Sequence, residues 1–442
     1  VTSVSVTGTA EAGSTVALLD AGVAISGATG TATGGTFTIA TTLAVGSHTI
    51  TATATDVAGN TGSASGPLTV TVDQTRPTVT SISRASSAAA LTNTSPAFEV
   101  VFSESVSGVV AANFSASKGS GTTGTASIAV SGSGTTYTVT VSGLTGNYGT
   151  DTNATVGLTV VPGTTISDVA GNLLTSATVS GANESYNLDN TAPTYAITYS
   201  RTAPLKAGAV TLTVTANEAL SAAPTISINQ PGTTDISSAA TTGSGPYTYA
   251  YTVVAANAST YVDGSATVTV SGSDAAGNTG TTITSGGSFA IDTTAPTVAL
   301  TYSLDASTYN ASVARPVKSG DTVTIKATMT EAVALSAAPT ITLTATGGVT
   351  TVTAAAMTQV GSSLEYTYAY AVQANENGTV SASVSASDTA TNALTSTAAT
   401  AFIVDNTAPT VVLAYSDGQT PNATGPYKSN DSVTVTATFT ET

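Results

Sequence analysis

Carboxylates are scarce in this chain, and they recur. Only 8% of its 442 residues are charged, with 25 acids against nine Lys and Arg. Eleven of the acids fall at three repeating positions. Asp73, Asp189, Asp292 and Asp405 close a Thr/Val-rich run a few residues before a proline. Glu104, Glu218, Glu331 and Glu441 end a strand-like run, and Asp168, Asp274 and Asp388 open a turn. Three carboxylates gathered without a basic partner repel one another, and a hard cation with several oxygen ligands relieves that. Ca2+ accepts carboxylates, backbone carbonyls and Asn together. Asn172, Asn278, Asn190 and Asn406 are therefore further candidates, as ligands or as residues that hold the loops. The competing reading needs no ion, because Asp and Asn favour turns and loop caps by themselves.

Other chemistry is thinly supported. His48 is the single histidine, sits on the apolar face of an alternating strand, and lacks a Gly-x-Ser-x-Gly elbow nearby, so a structural role is expected. The stripes Tyr247, Tyr249, Tyr251 and Tyr366, Tyr368, Tyr370 read as cross-strand packing or as an aromatic platform for sugars. Lys206, Lys318 and Lys428 recur near strand starts, either solvated or poised for an isopeptide bond with Asn. There is no phosphate-cradling loop, zinc spacing or nonapeptide calcium repeat. Sequons at Asn113, Asn153, Asn183 and Asn310 are what a Thr/Ser-rich chain produces by chance.

Composition narrows the class. A formal charge of −16 repels phosphate backbones and anionic headgroups, which argues against nucleic acid and bare membrane as partners. Without Cys, stability must come from packing or bound ions. No signal peptide and no apolar run of membrane-spanning length is present. Val1 is not an initiator and Thr442 falls in mid-repeat, so the chain is expected to be a window of a longer polypeptide, with any anchor or export signal outside it.

The elements that must position the acids are strands and turns. His48, Ile50, Ala52 and Ala54 alternate with Thr49, Thr51, Thr53 and Thr55, a strand with one buried face. Val57-Ala58-Gly59-Asn60 then supplies Gly and Asn for positive φ. Asp189-Asn190-Thr191-Ala192-Pro193-Thr194 returns as Asp292-Thr293-Thr294-Ala295-Pro296-Thr297, as Asp405-Asn406-Thr407-Ala408-Pro409-Thr410, and more loosely from Asp73 to Thr78. Proline sets φ near −65° and extends the residue before it, so each copy is a stiff joint. The joints divide the chain into 1–75, 76–190, 191–293, 294–406 and the start of a fifth unit at 407–442, each full unit the size of one small β domain.

The Asp-Val-Ala-Gly-Asn turn at 168–172, the joint at 189–194 and Phe102-Ser103-Glu104 together resemble the bacterial Ig-like repeats of giant surface and biofilm adhesins, which also occur in surface-layer proteins. The resemblance implies an all-β tandem array of Ig-like β-sandwiches on short Asp/Pro linkers. In such a sandwich, with strands A to G, the Glu ends strand B and the turn joins F to G. Both lie at the pole where strand A enters, so Asp73, Glu104 and Asp168 should converge. So should Asp189, Glu218 and Asp274, and then Asp292, Glu331 and Asp388. The first unit shows no Glu at its strand end, and Asp20 and Asp56 are the expected substitutes. Thr391 stands where the other turns have Gly.

The expected function is a non-enzymatic, secreted or cell-surface stalk of an adhesin, with Ca2+ at the domain junctions. Its partners would be an unidentified surface ligand or neighbouring copies of itself. The alternative is a subunit of a self-assembling filament, sheath or surface layer.

Overall fold

Strands in which Thr or Ser alternates with an apolar residue recur along the chain. The strand Thr36–Leu43 buries each second residue, Phe37, Ile39, Thr41 and Leu43, and turns the others to solvent. Thr322–Thr330 does the same with Val323, Ile325, Ala327 and Met329. β-branched residues suit this pleated, half-buried surface and lose χ1 freedom in helices. Residues Ala111–Asn113 form a single 3-10 turn.

The computed structural model describes residues 2–85, 88–161, 165–232, 235–257, 260–331, 334–394, 396, 399–416, 418 and 426–440. The chain forms two compact units. The first is Val1–Thr194 with Ala216–Ala222 and Ser271–Thr282, and the second is Tyr195–Thr215, Ala223–Val270 and Ile283–Thr442. The expected fold holds, an all-β tandem array of Ig-like sandwiches.

In the first unit, Thr2–Thr9 pairs antiparallel with Thr36–Leu43. Across the core lies a four-stranded sheet in the order Val23–Thr31, Thr15–Asp20, Gly46–Thr55, Leu68–Val72. Val16, Leu18, Phe37, Ile39 and Ile50 pack between them. The next sandwich centres on Ala97–Ser107, which pairs with Val79–Arg84, Thr123–Thr145 and Ser167–Asp168. Phe98 meets Tyr186 edge-on at 5.2 Å in its core, from the facing sheet. In the second unit, Gly208–Ala216 pairs with Tyr247–Val253, and Thr322–Thr330 lies between Thr297–Ser303 and Glu365–Ala371.

Two edge strands, Ile236–Ala240 and Val352–Ala356, carry register shifts where Ser238 and Ala354 take φ of 47° and 49°. Ser227 and Thr342 hydroxyls accept the displaced N–H groups at 2.9 and 3.2 Å. Such bulges twist an edge and interrupt the row of groups that another strand would need for pairing.

Candidate metal centres

Each centre starts from a five-residue turn. Asp168 Oδ1 accepts the Asn172 N–H at 2.8 Å, and the Asn172 amide donates back to Asp168 Oδ2 at 2.8 Å. Gly171 closes the turn at φ 91°, a conformation that a Cβ penalises. Asp274 with Asn278, and Asp388 with Asn392, repeat both bonds at 2.8–2.9 Å. In the fourth domain the closing residue is Thr391 at φ 70°, so a β-branched residue occupies the glycine conformation.

The same Asn reaches the joint upstream. Asn172 donates to the Asp73 carbonyl at 3.1 Å, Asn278 to that of Asp189 at 2.9 Å and Asn392 to that of Asp292 at 2.9 Å. These amides therefore act as clamps between joint and turn, the holding role of the two anticipated for Asn172 and Asn278. Isolated bridges Leu220–Asp274 and Leu335–Asp388, and the pair Val106–Asp168, then set the Glu-bearing segment beside the turn.

The result is the convergence expected from sequence. Asp73, Glu104 and Asp168 lie together, as do Asp189, Glu218 and Asp274, and Asp292, Glu331 and Asp388. Within each trio the closest carboxylate oxygens are all within 4.8 Å of one another. The first two trios belong to the first unit and the third to the second. Glu104 lies inside its strand, three residues short of the end at Ser107.

Burial and like charge mark these acids. Burial pushes Glu104 up, helped by the charges of Asp168 and Asp73. It also pushes up Asp189, with Asp274 adding to it against the Gly149 N–H, and Glu218, against the Asn147 amide. Asp292 is raised to about 6 by burial, then by Asp388, Glu331 and Asp263. Asp168 is also driven up by burial, but the Asn172, Gly171 and Ala170 donors together outweigh this and hold it below its ordinary value. Asp189 is 2% exposed, Asp292 4% and Glu218 9%, yet Asp189 Oδ1, Asp292 Oδ2 and Glu218 Oε2 accept no hydrogen bond. A buried carboxylate oxygen without a donor is costly, and two oxygens on one Ca2+ lie at most about 5 Å apart. The donor set fits that ion.

Several candidates lie elsewhere. Asn190 turns back to its own domain, accepting the Gly146 N–H at 3.1 Å and donating to the Leu144 carbonyl at 2.9 Å. Asn406 likewise accepts from Ser319 and donates to the Glu376 and Gln373 carbonyls. Asp405 caps Thr407 at 3.0 Å, and Glu441 lies outside the described residues.

The expected substitutes in the first domain need correcting. Asp20 lies opposite Ile50, six residues before Asp56 on the neighbouring strand, so the two acids stand roughly 20 Å apart along the sheet. Asp20 instead bonds His48 Nδ1 at 2.6 Å, and Asp56 holds the Asn60 N–H and amide. The strand that corresponds to Gly208–Ala216 is Thr2–Thr9, and the acid two residues beyond it is Glu11, as Glu218 is two beyond Ala216.

The remaining motifs are structural in their surroundings. His48 is half-buried and its Nε2 bonds the Ala44 carbonyl at 3.0 Å. Tyr247, Tyr251, Tyr366 and Tyr370 are buried, and Tyr370 donates to Glu376, a buried acid that the sequence pattern did not single out. Lys318 and Lys428 are exposed, while Lys206 Nζ donates to the Thr391 carbonyl at 3.4 Å. Asn113 is 3% exposed and bonded to Thr165, which closes that sequon in the folded chain.

Residues 1–74 match the family described as "Bacterial Ig-like domain", and residues 364–441 match "Bacterial Ig-like domain (group 3)". The chain carries bacterial Ig-like domains. The second match runs across the joint at 405–410. No curated protein matches the chain. Among solved structures, a tetra-tandem repeat in the extending region of a large adhesion protein is 19% identical, covering 91% of this chain and 95% of that one, at a TM-score of 0.36. The protocadherin gammaB7 EC3-6 cis-dimer is 14% identical, covering 89% and 94%, at 0.28. Likenesses that weak establish nothing further about these Ig-like domains.

Proposed function

We propose that this chain is a structural stalk from a bacterial surface adhesin, its Ig-like domains joined near residues 75, 190, 293 and 406 and stiffened there by Ca2+. One observation carries the reading. Each trio draws one acid from a joint and two from the domain that follows it, and the buried oxygens of Asp189, Glu218 and Asp292 lack a donor. A bound Ca2+ would neutralise the gathered charge and tie the joint to the next domain. The residues supply the rest. Asn172, Asn278 and Asn392 fix each joint carbonyl against its turn, so the acids are already assembled before any ligand arrives. Ig-like domains in tandem suit projecting and spacing, and their surface location is part of this proposal.

Lateral assembly into a filament or surface layer is the weaker reading, because the bulged edges at Ser238 and Ala354 are poorly suited to strand pairing between copies. Small-angle scattering with and without chelator tests the stalk. Removing calcium should shorten the particle or broaden its length distribution, and Asp189→Ala should reproduce part of that change. An unchanged profile in chelator, with no calcium bound by titration, would leave these acids as turn residues.

A further inference from the structure

Two acids of the second trio are held by a loop that has no place in the recurring motifs. Residues 146–150 reach it from the preceding domain. The Gly149 N–H donates to Asp189 Oδ2 at 3.0 Å, and the Asn147 amide donates to Glu218 Oε1 at 3.3 Å. In both acids the other oxygen, Asp189 Oδ1 and Glu218 Oε2, is the one without a donor. The loop thus ties one oxygen of each carboxylate and leaves its twin for the centre of the trio. In the first and third trios the joint acid takes an N–H from two residues on, Asp73 from Thr75 at 2.8 Å and Asp292 from Thr294 at 3.2 Å, and Asp189 feels its own Thr191 N–H as well as that of Gly149.

The loop is itself anchored. Asn190 Oδ1 accepts the Gly146 N–H, the Thr191 hydroxyl donates to the Gly146 carbonyl at 3.2 Å, and Asn147 Oδ1 accepts the Thr150 N–H at 3.0 Å. Asn190 therefore acts on the site from a distance, through the loop. Gly149 is required by space, since a Cβ there would stand 2.3 Å from Glu218 Oε2. Its φ is outside the left-handed region, so the backbone tolerates alanine and only the Glu218 carboxylate has to move.

We propose that the Asn147–Gly149 loop is a positioning element that orients Asp189 and Glu218 for a divalent cation and so makes the second junction the tighter calcium site of the first unit. The inference rests on the calcium reading above. The first trio has only one fully buried acid, Asp168, and its Asp73 and Glu104 are half-buried, which leaves it the more open of the two. Orienting partners of this kind are typically worth tenfold or more in metal affinity.

Isothermal titration of the full chain with CaCl2 tests it, the second site being the part of the heat that Asp274→Asn abolishes. Gly149→Ala and Asn147→Ala should each weaken that part by about tenfold, and Gly149→Ala, which leaves every donor and acceptor of the loop in place, should melt in EDTA as the parent does. If Asp274→Asn abolishes nothing, the calcium reading of this site falls and the loop's role with it. If the second site is present but unchanged in both variants, the loop inference is wrong and the calcium reading stands. If both variants melt lower in EDTA, the loop is a structural brace and the inference is overturned.

Discussion

Replacing Asp292 by Asn should stabilise the metal-free chain and remove most of the stability that calcium adds. Asp292 is 4% exposed, its Oδ2 has no donor, and its pKa is raised from 3.8 to about 6 by burial and then by its acidic neighbours. The folded-state pKa lies above the unfolded one, so the acid's favourable contribution is fully present below about pH 4. It is lost as the pH rises through about 6. At pH 7 in EDTA the ionised group costs about 3 kcal/mol. Asn removes the charge and supplies an N–H2 beside Glu331 and Asp388, so a gain of about 1–3 kcal/mol is expected. With calcium at a hundredfold its dissociation constant, binding stabilises the parent by about 2.7 kcal/mol. The Asn variant forfeits most of that. Hydrogen exchange at the Thr391 and Asn392 amides, both bonded to Asp388, reports this junction without requiring two-state unfolding of the whole chain. Lower protection for Asp292→Asn in EDTA at pH 7, or a parent whose protection there is flat from pH 4 to 6, would refute the reasoning.

Thr391→Gly should raise the stability of the fourth domain by about 1 kcal/mol in thermal melting, since φ 70° is a glycine conformation and the matching turns hold Gly59, Gly171 and Gly277 at 90–93°. Asn278→Ala should cost about 1–3 kcal/mol and loosen the joint, because one amide bonds both the Asp189 carbonyl and Asp274 Oδ2. Protection of the Gly277 amide is the readout. His48 is raised by its bond to Asp20, and Asp20 is lowered by the same bond. Their mutual stabilisation should therefore be present above about pH 4 and fade as the pH rises past about 6.5, and His48→Ala should abolish that dependence in a melting series.

The convergence of nine acids was legible in the sequence because each occupies a repeated position tied to the pole of a two-sheet sandwich. Chain direction and period 2 suffice to put a strand end, a hairpin turn and an incoming joint at the same pole. The alternation of Thr with Val and Ile likewise dictates strands and their buried faces, without naming their partners. That gap leaves the strand order of the first domain open in the sequence. Thr15–Asp20 alternates as well as Thr2–Thr9 does, and only pairing with Thr36–Leu43 shows that Thr2–Thr9 is the strand that leads to Glu11.

Side-chain direction was likewise beyond the sequence. Asn190, Asn278 and Asn406 look alike as candidate oxygen ligands, yet Asn190 and Asn406 face their own loops and Asn278 donates into the joint. Which carbonyl an amide finds depends on what the neighbouring loop brings within about 3 Å, and composition does not encode that. The 146–150 segment has no periodicity, and Asn147 lies 71 residues from Glu218 in the chain. Tertiary packing alone brings its N–H groups to Asp189 and Glu218, because Gly146 is pinned by Asn190 and Thr191, more than 40 residues on and just past the strand Ser185–Leu188.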